Sequence, residues 1–136
     1  MNRSFIKLAT SVCAAMLVLP AQAQNIKPGQ YDYTAKTEMM GMTIPVNFKQ
    51  CVTQKDVDSN SAYVNQQTAE GCTPPQVTRN GAAITVKFAC SKPKMTGEGT
   101  GTVGDEQFSI NMKVIQHEMG NAVMQTQLSA KRMGNC

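Results

Sequence analysis

The chain has 136 residues, of which 41% are hydrophobic and 16% are charged, and its formal net charge is +4. This length is that of one domain with a modest core. Two of the basic residues, Arg3 and Lys7, lie in the targeting segment described next, so 11 basic residues (13 minus these two) face 9 acidic ones in the remainder. A charge of about +2 gives no reason to expect nucleic acid or an anionic surface as the partner.

Residues 1–23 have the features of a cleaved signal peptide. Arg3 and Lys7 form a positive start, and residues 8–19 form an apolar run that is too short to span a bilayer. Pro20 then breaks the helix, and Ala21 and Ala23 supply the small residues that signal peptidase reads. Cleavage is predicted before residue 24, and the protein is predicted to be periplasmic or secreted, with residues 24–136 forming a single β domain. An uncleaved anchor is the alternative, and no other stretch is apolar enough to cross a membrane.

Four cysteines remain after cleavage, and an even number in an exported chain indicates two disulfides with three possible connectivities. The turn signal Asn80-Gly81 lies midway between Cys72 and Cys90, so a hairpin around it would bring these two cysteines nearly opposite each other. The predicted pairs are Cys72–Cys90 and Cys51–Cys136. Zinc is the alternative use of four cysteines, but the chain contains no CxxC pair.

The first part of the domain alternates in the way that half-buried strands do. The apolar positions of the two predicted strands are Tyr31, Tyr33, Ala35 and Thr37, then Ile44, Val46 and Phe48. Residues 39–42 (Met-Met-Gly-Met) are predicted to be the connecting loop. Pro45 cannot donate a ladder hydrogen bond, which indicates an edge or a bulge in the second strand. Thr53 is a predicted helix N-cap, and residues 58–71 are predicted to be a loop or at most a short helix.

The remainder of the chain continues as strands separated by turns. The alternating positions are Ile84, Val86 and Phe88; Gly97, Gly99 and Gly101; Phe108, Ile110, Met112 and Val114; and Met124, Thr126, Leu128 and Ala130. No helical period is longer than two turns. The predicted fold is therefore all-β, a single antiparallel meander of about seven strands stapled by disulfides. We expect a strongly curled sheet or a small barrel, because a flat sheet with no covering helix would leave one apolar face wet.

Several short motifs resemble those of family 3617 of the domains of unknown function, small exported proteins of Gram-negative bacteria. The residues that carry the resemblance are Ile26-Lys27-Pro28-Gly29-Gln30-Tyr31, the Met-Gly-Met loop, Phe48-Lys49-Gln50-Cys51-Val52-Thr53, the paired mid-chain cysteines, and the ending Ala130-Lys131-Arg132-Met133-Gly134-Asn135-Cys136. Tyr31 stands near a position where the family commonly has Trp. The resemblance implies export, one β domain and disulfides, and it implies no activity.

No catalytic constellation appears in the sequence. The single histidine, His117, is followed by Glu118, but neighbours on a regular strand point to opposite faces and do not form a dyad. No nucleophile, base and orienting group are brought together by spacing, so the chain is not predicted to be an enzyme, with a small hydrolase as a distant alternative.

Methionine is unusually frequent, with eight residues after position 23. Thioethers bind Cu(I), and an exported β domain is a plausible carrier. The alternative hypothesis of function is therefore a periplasmic copper site formed by Met39, Met40, Met42, His117 and Met119. The simpler interpretation is that methionines fill irregular gaps in the core.

The function predicted first is binding without chemical conversion. Gly97, Gly99 and Gly101 on one face of a strand would let a small apolar ligand or a peptide strand approach the backbone. The competing explanation is that these glycines permit bending, or accommodate a side chain that lies across the strand. No cofactor is predicted apart from the copper alternative, and the partner stays unidentified.

Overall fold

The structure, a computed structural model, describes residues 25–64 and 71–136. The predicted signal peptide and part of the predicted loop at 58–71 therefore lie outside the described residues. The described elements are β1 (Gly29–Met39), β2 (Met42–Val52), α1 (Gln54–Asp58), a 3-10 turn (Ser61–Tyr63), β3 (Gln76–Asn80), β4 (Ala83–Ser91), β5 (Lys94–Val103), β6 (Gln107–Gln116), a second 3-10 turn (His117–Met119) and β7 (Ala122–Gly134).

The seven strands form one antiparallel sheet in the order β2-β1-β7-β6-β5-β4-β3. The all-β prediction and the number of strands are confirmed. The prediction of a strongly curled sheet or a small barrel is wrong, because β2 and β3 stand at opposite edges of an open sheet. Pro45 lies on β2, where it pairs with Lys36 of β1, so the edge position predicted from this proline is also confirmed.

The sheet stays open because the segment 53–64 covers part of its apolar face. Val57, Ala62, Tyr63 and Val64 of this segment are buried together with the apolar side chains of the strands. The Tyr63 ring packs edge-on against Phe108 at a centroid distance of 5.2 Å. The sequence predicts a loop or at most a short helix over residues 58–71, and this prediction includes no cover for the sheet.

The cover starts at a well-formed helix N-terminus. The Thr53 hydroxyl accepts from the Asp56 backbone N–H at 3.2 Å, and the Asp56 carboxylate accepts from the Thr53 backbone N–H at 2.8 Å. These hydrogen bonds form a capping box, as the sequence predicts. The hydrogen bonds from Thr53 also hold the pKa of Asp56 below its usual value.

The two cysteine pairs have the predicted connectivity. Cys51 lies against Cys136 with a Cα–Cα distance of 5.5 Å, and Cys72 against Cys90 with one of 3.8 Å. The first pair ties the C-terminal residue to the end of β2. The second pair forms an isolated bridge between β4 and the segment before β3.

The hairpin between the second pair of cysteines turns one residue later than the sequence indicates. Asn80 pairs with Ala83, so the two residues of the turn are Gly81 and Ala82. Gly81 has a φ of 60°, a backbone conformation that glycine adopts without steric cost. The first hairpin is similar, because β1 and β2 extend to Met39 and Met42 and leave only Met40 and Gly41 in the turn.

Within the described residues, none of the helices has the length and hydropathy needed to span a membrane.

Candidate functional site

The apolar face of the sheet has a filled half and an open half. The filled half lies toward the start of β1, where Tyr31, Tyr33 and Phe108 are buried under Ile26 and the segment 53–64. The other half lies toward the end of β1, beside Val64, the last described residue of this segment. Cys72 and its partner Cys90 form the opposite rim. A cleft therefore remains between the sheet and these rims.

This cleft has a volume of about 300 Å³, at the lower end of the range for small-molecule sites. Its walls come from six of the seven strands and from the two rims. The lining residues are Ala35, Thr37, Val46, Phe48, Val64, Cys72, Phe88, Cys90, Met95, Met112, Val114, Met124, Thr126 and Leu128. We call this site the apolar cleft.

The described side chains of the apolar cleft offer almost no polar recognition. Its two hydroxyl-bearing side chains, Thr37 and Thr126, lie opposite each other on β1 and β7, and their oxygens are 3.0 Å apart in a mutual hydrogen bond. Its two cysteines are paired with each other. Among the described lining residues there is no carboxylate, imidazole or amine, so these side chains supply no acid, base or free nucleophile.

The aromatic walls of the apolar cleft are held in place by neighbouring side chains. The Phe48 ring is stacked on Tyr33 with a centroid distance of 4.9 Å and an interplanar angle of 8°. Tyr33 itself donates from its hydroxyl to the Ala62 carbonyl at 3.0 Å, and burial raises the pKa of its phenol. The Phe48 ring is therefore held against the core by Tyr33.

The second aromatic wall explains one of the predicted glycines. The Phe88 ring lies across Gly97 so closely that a Cβ at this position would overlap it. The same holds for Gly99 and the side chain of Met112, whereas Gly101 lies against the backbone of β6. The three glycines thus provide space for neighbouring protein groups, and none of them is among the residues that line the apolar cleft. A direct role for them in binding a ligand stays a prediction.

The residues of the copper hypothesis lie in two turns at the same end of the sheet. Met40 is in the β1–β2 turn, and Met119 belongs to the 3-10 turn between β6 and β7. The His117 ring is engaged on both sides: its Nε2 is 3.0 Å from Thr96 Oγ1, and its Nδ1 is 3.0 Å from Asn121 Oδ1. The two turns belong to neighbouring hairpins, because β1 pairs with β7, and Met39, Met40 and Val123 border one shallow depression there. The copper site stays a prediction.

A larger groove of about 620 Å³ lies elsewhere, along the polar face of the sheet. Its side chains are mainly small and polar, such as Thr34, Ser109 and Ser129. Its charged residues, Asp32 and Lys131, are cross-strand partners of each other. We regard it as the solvated face that an antiparallel sheet normally has.

The strand pattern predicts the residues that line the apolar cleft but not the cleft itself. The lining residues Phe48, Met112, Met124 and Leu128 all lie at predicted positions on apolar strand faces. The sequence signal that was missed is Thr37 and Thr126, polar residues at apolar-face positions of two strands. Such residues on a core face indicate a place where the core is not filled.

The fold and the cleft define a class of protein: a small β domain with two cysteine pairs and an apolar cleft whose described lining residues carry no charge. Comparison with protein families gives the specific assignment. The chain belongs to the family described as "Protein of unknown function (DUF3617)", whose model matches residues 26–136. Comparisons with curated proteins and with solved structures found no significant match.

Proposed function

We propose that this protein is an exported, periplasmic binding domain that holds one small apolar ligand, such as an alkyl or acyl chain, in the apolar cleft. The observation that carries the proposal is the apolar lining formed by the described residues, among which the hydroxyls of Thr37 and Thr126 hydrogen-bond to each other and none carries a charge. An apolar chain gives up no hydrogen bonds when it enters such a site, whereas a polar ligand would leave hydrogen-bonding groups without partners. Export is supported by the signal features of residues 1–23 and by the pairing of Cys51, Cys72, Cys90 and Cys136.

A small ligand is favoured over a peptide strand because both edges of the sheet are poor templates for strand addition. The β2 edge contains Pro45, which lacks a backbone donor, and the charged, exposed Lys49 lies further along the same strand. The β3 edge has only five residues and follows Pro74-Pro75. The apolar cleft lies on the face of the sheet and needs no free edge.

The direct test fills the cleft with a side chain. Ala35 is a half-buried wall residue between Val46 and Leu128, so the ring of an Ala35→Trp variant would occupy space that the ligand needs. We expect the affinity for 11-(dansylamino)undecanoate, measured by fluorescence titration of the oxidised protein without its signal peptide, to fall at least about tenfold.

The matched control is Thr34→Trp, the preceding residue of the same strand, which lies on the polar face and should leave the affinity unchanged. A second variant, Met124→Glu, places a carboxylate in the apolar cleft and should also weaken binding. The proposal is wrong if the wild-type protein does not bind the dye, or if both cleft variants bind it as tightly as the wild type.

A further inference from the structure

One end of the sheet carries three turns and most of the exposed methionines. The turns are the β1–β2 turn at Met40-Gly41, the β4–β5 turn at Lys92-Pro93 and the β6–β7 turn at 117–121. We call this end the tip. Met40 is 81% exposed and Met119 is 58% exposed, and both are in these turns. Solvent-facing side chains at a turn are usually polar, so the two methionines require an explanation.

The tip is joined to the apolar cleft by a strip of exposed apolar side chains. Met42, Ile44 and Val46 alternate along β2 and face the same side as the core, because Val46 and Phe48 line the cleft. Their exposed fractions are 60%, 48% and 49%. Among the described residues, this strip of alternating side chains leads from Met42, next to the turn at Met40, to the cleft residues Val46 and Phe48.

The opposite end of the sheet has a different character. It contains the covering segment 53–64, the Cys51–Cys136 pair and the ion pair of Arg132 with Glu106 at 3.6 Å. One exposed methionine, Met133, is found there with an exposed fraction of 61%. Among the described residues, exposed apolar side chains are thus concentrated at the tip.

We propose that the tip docks on the surface of a phospholipid bilayer, with Met40 and Met119 inserted among the acyl chains, so that an apolar chain passes along the β2 strip into the apolar cleft. The inference rests on the proposed function and identifies the source of its ligand as a membrane. Unbranched thioether side chains adapt to a fluid partner. Lys92 and Lys94 are exposed at the β4–β5 turn, where their ammonium groups match lipid phosphates, while the exposed Glu38 and Glu118 lie at the other two turns. Pro45 on the same strand opposes strand pairing with a second copy.

The experiment is flotation of the oxidised protein without its signal peptide on phosphatidylcholine vesicles, with and without added phosphatidylglycerol. We expect the double variant Met40→Ser/Met119→Ser to lower the partition coefficient about tenfold, because it removes two apolar side chains from the bilayer. Met133→Ser is the matched control, with similar exposure at the other end, and should bind like the wild type. Lys92→Gln/Lys94→Gln should weaken only the binding that phosphatidylglycerol adds.

The inference is overturned if the wild-type protein binds neither vesicle, or if Met133→Ser weakens binding as much as the tip variant. It is also overturned if sedimentation shows a dimer that Met42→Ser dissociates, because a second copy then covers the strip. Its failure is distinguishable from failure of the proposed function. Ala35→Trp should still float with vesicles, and the tip variant should still bind 11-(dansylamino)undecanoate in solution.

Discussion

Replacing both Cys51 and Cys136 by serine is expected to lower the free energy of unfolding by about 4.5 kcal/mol. The two residues are 85 positions apart, and a crosslink that closes so long a loop removes a large amount of entropy from the unfolded chain. The bridge also fixes the last residue of the chain to the end of the edge strand β2, next to the point where the covering segment begins. The measurement is urea unfolding of the variant and of the oxidised wild type.

The second bridge provides the internal comparison. Cys72 and Cys90 are only 18 positions apart, so the corresponding Cys72→Ser/Cys90→Ser variant should lose about 3 kcal/mol. The smaller loss should be accompanied by weaker ligand binding, because both residues form a rim of the apolar cleft. Unfolding midpoints equal to that of the wild type in both variants would contradict the assignment of the two pairs.

The substitution Gly101→Ala is expected to destabilise the protein by about 3 kcal/mol, the upper part of the range for overpacked sites. Gly101 is in the interior strand β5, between Ile84 of β4 and Ile110 of β6. An added Cβ would meet the Ser109 carbonyl oxygen and lie 2.7 Å from the Ile110 Cα. Both are backbone atoms of a paired strand, and a rotamer change cannot move them away. Thermal and urea unfolding monitored by circular dichroism will measure the loss.

Gly104→Ala is the matched control for this substitution. The nearest atoms to a Cβ at Gly104 belong to Gln107, at 3.6 and 3.7 Å, which is ordinary contact. The backbone hydrogen bond that the Gly104 N–H donates to the Gln107 carbonyl, at 2.8 Å, can also be formed by alanine. The free energy of unfolding of the Gly104→Ala variant should stay within about 0.5 kcal/mol of the wild-type value. Equal losses in the two variants would mean that the approach of β5 to β6 is looser than described.

The strands and the disulfide pairs could be predicted from the sequence because they depend on local patterns. Period-two alternation identifies a strand such as β6 without knowledge of its neighbours. Pro45 has no backbone N–H donor and therefore indicates an edge strand. The turn at Gly81 lies midway between Cys72 and Cys90 and brings these two residues together. Glycines on β5 indicated that something lies against the strand, and Phe88 and Met112 are those groups.

The open sheet and its cleft could not be predicted from the sequence, because they depend on how the segment 53–64 packs. Its helix α1 has five residues, too few for a helical period to appear in the sequence. Its hold on the sheet comes from distant partners, such as the Tyr33 hydroxyl that donates to the Ala62 carbonyl and the Phe108 ring against Tyr63. Without this cover, closure into a barrel was the physically reasonable expectation. The apolar cleft lies beside Val64, the last described residue of this segment, and no local pattern in the sequence indicates that position.

The most direct test of ligand binding in the apolar cleft is methyl NMR of the protein labelled at the methionine ε-carbons, titrated with decanoate. Met95, Met112 and Met124 line the cleft, whereas Met133 lies at the far end of the sheet. Binding in the cleft predicts progressive shifts of those three methyl signals, with nuclear Overhauser contacts to the alkyl chain and no change at Met133. Shifts of equal size at Met133, or no shifts at any methionine at saturating decanoate, would contradict it.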